Sequence, residues 1–196
     1  MRSKYALLFT VALSGAAASF PEYPVKPITE YANVVTKSGL AAAALPMEDP
    51  RDQLKYFGID FKSRGYVPVF LFLENQTTTG SFLLGKEGLM YSPAGHSGSA
   101  LANPSRPSRE DKALAVASYL PYYGIMAAAM ASKYKELRQN VLKSELQSTT
   151  LSPGTSAHGF IFVPAHWQHS LRGKINLSIP LKLSESGETV IIDLAF

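Results

Sequence analysis

The chain has 196 residues, 46% of them hydrophobic and 17% charged, a formal charge of +4 and no cysteine. That length and apolar content suffice for a domain with its own core and exclude an intrinsically disordered chain. Lack of cysteine excludes a disulfide-stapled scaffold, and the small charge, with no basic-aromatic module, argues against a nucleic-acid partner.

The N-terminus carries a short basic stretch, Met1-Arg2-Ser3-Lys4, an apolar run, YALLFTVALSG, and small residues Ala16-Ala17-Ala18. This pattern predicts a signal peptide over residues 1–18, cleaved after Ala18, and hence export to the periplasm or cell envelope. No cysteine follows, so a lipid-modified N-terminal cysteine is excluded. Residues 19–39 read as an extended leader, with Pro21, Pro24 and Pro27 favouring polyproline geometry.

The run Leu40 to Leu45, closed by Pro46 and Glu48-Asp49-Pro50, predicts a first strand, although alanine is a weak strand former. Phe57, Ile59 and Phe61 alternate with Gly58 and Asp60, which predicts a second. After a turn at Ser63-Arg64-Gly65, the aromatic and β-branched run Tyr66 to Asn75 is apolar on both faces, as a central strand would be. Pro68 places the start of that run at an edge or bulge. Gln76 to Gly80 turns the chain and Ser81 to Leu84 returns it, predicting a hairpin. Leu89-Met90-Tyr91 suggests a further short strand.

Residues 92–108, rich in Gly, Ser and Pro, read as a linker. Ser108-Arg109-Glu110-Asp111 then has the form of a helix start. Between Lys112 and Lys133 lie twenty uncharged residues, ALAVASYLPYYGIMAAAMAS. With Pro121 in their middle, they predict a helix over about 109–120, a break, and a second helix over about 122–147. In the second helix Tyr134, Leu137, Val141, Leu142 and Leu146 form one apolar stripe. Strands return at His158 to Val163, at Lys174 to Leu183, where Pro180 suggests an edge, and at Val190 to Leu194 after a Ser186-Gly187 turn.

These elements predict a mainly β chain: an antiparallel, immunoglobulin-like β-sandwich over residues 40–196, with a kinked helix or helical hairpin inserted at about 109–147. Neither strand block closes a two-sheet core alone, so the two must pack together. The segments Phe57-Gly58-Ile59-Asp60, Gly65-Tyr66-Val67-Pro68-Val69 and Asn75 resemble a pattern in uncharacterised exported bacterial proteins. So do Leu146 to Gly154 and Gly159-Phe160-Ile161-Phe162. The resemblance implies an immunoglobulin-like sandwich interrupted by an apolar insertion, and carries no catalytic residues.

The uncharged run is long enough to span a bilayer, but it is dominated by alanine, and Pro121, Tyr122, Tyr123 and Gly124 interrupt it. A single crossing would also separate the two strand blocks. The alternatives are packing on protein or in an oligomer, and membrane contact without crossing. Gly124, Ala128 and Ser132 have small-xxx-small spacing, which permits close helix contact. Tyr122, Tyr123, Gly124, Ala128 and Ser132 are therefore the candidate interaction residues, with an envelope protein or a second copy as partner.

Catalytic signals are sparse. Gly95-His96-Ser97-Gly98-Ser99 resembles a nucleophile elbow, with Asp111 and His158, His166 or His169 formally available to Ser97, but prolines stand where the strand and helix should be. His166 and His169 lack a third metal ligand nearby. Asn75-Gln76-Thr77 and Asn176-Leu177-Ser178 are glycosylation sequons, and Asn75 more simply caps a turn. No cofactor fingerprint is present. The expectation is a non-enzymatic envelope protein, with a serine hydrolase using Ser97 as the alternative.

Overall fold

A computed structural model describes residues 20–93, 99–100, 135–164 and 175–196. Its strands are β1 (Val35–Lys37), β2 (Leu40–Pro46), β3 (Tyr66–Asn75), β4 (Phe82–Leu84), β5 (Met90–Pro93), β6 (Ser99–Ala100), β7 (Thr149–Leu151), β8 (Ser156–Pro164), β9 (Ile175–Leu183) and β10 (Thr189–Ala195). They form two antiparallel sheets. Sheet A runs β1-β2-β3-β8. In sheet B, β9 is flanked on one side by β10 and on the other by β5 and β4, which continue outward to β6 and β7. Each sheet combines strands from before and after the insertion.

The two sheets share one apolar core. Leu40, Ala42, Val69, Leu71 and Ile161 of sheet A meet Phe82, Tyr91, Leu177, Ile179 and Ile192 of sheet B. Sheet A is covered on its other face as well. There Ala41, Ala43, Phe70, Phe72, Phe160 and Phe162 pack under Ile28 and Tyr31, helix α1 (Pro50–Phe57), Phe61 and Val141 of a helix over residues 135–144. Burial on both faces explains why β3 is apolar at successive positions and why β2 tolerates alanines. Tyr23 of the leader enters this layer too, with its ring 4.7 Å from Phe70 and 5.1 Å from Phe160.

Several sequence expectations need correction. The second strand expected at Phe57–Phe61 is instead the end of α1 and a bend that leads into a 3-10 turn at Lys62–Arg64. Asp49 caps α1 by accepting from Arg51 N (2.8 Å), Pro50 opens it, and Gly58 ends it in the left-handed region at φ 70°. Phe57 and Phe61 are both buried through this helix-to-turn geometry rather than through strand alternation.

The hairpin expected after Asn75 does not form. β4 pairs with β7 and β9 in the opposite sheet. Asn75 makes the corner. It is fully buried, its Nδ2 donates to Gly80 O and Leu151 O (both 3.0 Å), and its Oδ1 accepts from Thr77 N and Oγ1.

β9 is not an edge strand despite Pro180. Ile175 exchanges both backbone bonds with Phe196, so odd-numbered residues of β9 bond toward β10 and Pro180 faces the other way. On that side β4 ends opposite Leu181 and β5 begins opposite Ser178. The missing N–H falls in the gap between them. Pro68 follows the same logic at the end of β2: its carbonyl accepts from Met47 N, and the Met47 carbonyl, which Pro68 has no N–H to reach, takes Nε2 of buried Gln53 instead (2.6 Å).

The helix over 135–144 stops short of the expected 147. Leu137 and Val141 are buried, but Leu142 of the expected stripe is 40% exposed, and Leu146 is buried outside the helix. Among the described residues no helix is long and apolar enough to cross a membrane.

Candidate functional site

Tyr122, Tyr123, Gly124, Ala128 and Ser132 lie outside the described residues, as do Ser97, Asp111, His166, His169 and the segment 1–18. Of the histidines weighed as catalytic partners, His158 is described. It stands exposed on β8 with its ring parallel to that of Phe72, 6.1 Å away. Among the described residues no group of three His, Asp or Glu side chains is placed to hold a metal ion. Asn75 is consumed by the corner it builds, which leaves its amide inaccessible to glycosylation in the folded chain.

The structure does define how the insertion rejoins the body. Glu145, almost wholly buried, pairs with Lys86 between β4 and β5 at 2.6 Å. Leu146 N donates to Phe160 O of β8 (2.9 Å). Ser148 Oγ accepts from Lys86 N (3.0 Å) and donates to Glu87 Oε2 (3.3 Å). A Cβ on Gly159 would lie 2.6 Å from the backbone of Leu146, so only glycine admits this approach. Residues 145–148 thus fasten onto both sheets. Nothing in the local pattern marks Glu145 as buried, because its partner comes from a distant loop. Gly159 was visible as a glycine inside a strand pattern, which commonly signals close backbone approach.

The second feature is the outer face of sheet B, over which the described residues place no layer comparable to the helices on sheet A. The register places side chains there in rows. Thr150, Leu83, Lys182 and Thr189 form one; Gly88, Pro180 and Ile191 the next; Met90, Ser178 and Asp193 the third. Leu83, Met90 and Ile191 are each 44% exposed, and the three surround Pro180. Isolated exposed apolar residues are ordinary, but three on one sheet face around a proline make a patch. Beside it runs an open groove of about 560 Å³, lined by Leu83, Pro180, Lys182, Glu87 and Ser148 among others. Its hydroxyl fringe and single lysine can seat a side chain or loop of a partner. Sequence alternation showed which residues of β9 face outward. It did not show that Leu83 and Met90 would join them, because that depends on the crossing from sheet A to sheet B at Asn75.

No protein-family model, curated protein or solved structure matches the chain.

Proposed function

We propose that this chain is an exported, non-enzymatic protein of the cell envelope, with a binding or assembly role exercised through its apolar insertion. The partner is an envelope protein or a second copy, reached through Tyr122, Tyr123, Gly124, Ala128 and Ser132, with membrane contact as a further mode and no nucleic acid or cofactor involved. The immunoglobulin-like kinship belongs to this proposal as well. What supports it is two antiparallel sheets over a shared core; the strand order of sheet A, β1-β2-β3-β8, differs from the ABED order of immunoglobulin domains.

One observation carries the reading. Strands from the two sides of the insertion pair directly, β3 with β8 and β4 with β7. Both blocks therefore lie on the same side of any bilayer, and a single crossing between them does not fit. Two crossings would need about forty apolar residues, more than the twenty uncharged residues supply. This favours contact with an envelope protein, a second copy or the membrane surface over crossing, for a segment that rejoins the body at residues 145–148.

The test is to replace residues 113–132 by a Gly/Ser segment of equal length and fractionate cells. The expected result is a folded chain, exported as before, that no longer sediments with the envelope and is released by carbonate. Unchanged envelope association, or wild-type protein found in the cytosol, overturns the reading.

A further inference from the structure

We propose that the outer face of sheet B is a self-association surface, on which a second copy of this chain packs sheet to sheet. This goes beyond the insertion, which is a separate element of the chain.

The patch is self-complementary. Along β9 and β10 the row containing Lys182 and the row containing Asp193 lie on opposite sides of the Gly88–Pro180–Ile191 row. A twofold axis in the plane of the face, running along that middle row, reverses the strand direction. It lays the Leu83–Lys182–Thr189 row of one copy over the Met90–Ser178–Asp193 row of the other. Leu83 then meets Met90 twice, and Pro180 and Ile191 meet their own twins. Lys182 comes over the Ser178–Asp193 pair twice. This residue-to-residue reciprocity is what a closed twofold interface requires, and aligned sheets stack about 10 Å apart in this way.

The charges favour a second copy over an unrelated apolar partner. Lys182 and Asp193 are exposed, and among the described residues Lys182 has no ion-pair partner within its own chain. Strand spacing sets their Cα atoms roughly 14 Å apart within one copy, too far for an ion pair. Asp193 is held in position by Ser178, whose Oγ donates to its Oδ1. A carboxylate fixed at one end of an apolar patch and an unpaired lysine at the other suit the same patch turned through the twofold.

Sedimentation of the purified chain over about 1–100 µM should show a monomer–dimer equilibrium that weakens with salt. Ile191→Glu, at an exposed position where folding is not at stake, should raise the dimer Kd at least about thirty-fold. Lys182→Glu and Asp193→Lys should each raise it about tenfold or more by opposing like charges. The double variant should return to within about threefold of wild type, which loss of a merely structural residue would not do. Because the chain has no cysteine, Ile191→Cys should be joined into a homodimer by a short bis-maleimide that spans the roughly 10 Å between facing sheets, while Leu54→Cys on the helical side should not. A chain with 113–132 replaced should still dimerise, which separates this surface from the insertion. A monomer throughout the range overturns the proposal. So does a dimer that survives Ile191→Glu, a double variant without rescue, or Ile191→Cys cross-linking in an envelope extract to a different protein.

Discussion

β3 and β9 occupy equivalent places, each in the interior of its sheet and each containing a proline whose missing N–H falls where a neighbouring strand stops. Their side chains differ. From Val67 to Leu73, β3 is buried at every position, whereas β9 alternates buried Ile175, Leu177, Ile179 and Leu181 with Asn176, Ser178, Pro180 and Lys182. Both inner faces meet the same core. The difference lies outside: among the described residues, sheet A carries a third layer of helices and leader, and sheet B does not. Two-sided burial commits sheet A to structure, and one-sided burial leaves sheet B a face for contact.

The largest effect should come from cutting into that third layer. Phe160 is 2% exposed on the helical side of β8, with its ring 4.8 Å from Phe57 and 5.2 Å from Phe70. Phe160→Ala should lower unfolding free energy by about 3–5 kcal/mol. Ser178→Ala, at the corresponding outward face of β9, should stay within about 0.5 kcal/mol. Urea unfolding of both variants measures the contrast. A Phe160→Ala loss below about 1 kcal/mol would mean that the helices are not packed on sheet A in solution.

Next in size is the corner joining the two sheets. Asn75→Ala leaves Gly80 O, Leu151 O and Thr77 N without the amide that serves them, a loss of about 2–3 kcal/mol. Asn75→Asp should fare no better, since a carboxylate oxygen would face the two carbonyls that Nδ2 now satisfies. Equal unfolding midpoints for wild type and Asn75→Ala would show that the sheets are joined independently of this residue.

Most of this architecture was legible where burial is one-sided or the apolar run is long. β3, β8, β9 and β10 fall within a few residues of the runs that announced them. The misses share a cause. At Phe57–Phe61, alternation imitated a strand because two buried aromatics happened to fall four residues apart across a helix end. Asp49-Pro50 and Gly58 were the punctuation that should have outweighed it. At Gln76–Gly80 a turn was visible, but whether a chain turns within a sheet or crosses to another depends on Leu151, which lies far along the sequence. For the candidate site, outward residues of β9 were readable from period two. The patch around Pro180 was not, because Leu83 and Met90 reach it only through that crossing.

The smallest effect concerns the leader, which decides how far the third layer extends. Tyr23 sits among Tyr56, Phe70 and Phe160, and burial there, reinforced by the nearby Tyr56, Tyr31 and Asp52, raises its phenol pKa above the ordinary value of 10.0. The folded chain therefore holds this proton more tightly than the unfolded one. Its contribution to stability is complete below about pH 10 and is lost as pH rises through the folded pKa. Ultraviolet titration of wild type against Tyr23→Phe should isolate one tyrosine ionising above pH 10. Urea midpoints should fall more steeply between pH 9 and the folded pKa in wild type than in Tyr23→Phe. A Tyr23 titration at or below pH 10 would mean that the leader stands in solvent and that the helices alone cover sheet A. The contrast with sheet B would then narrow at the β3–β8 end, where Tyr23 rests.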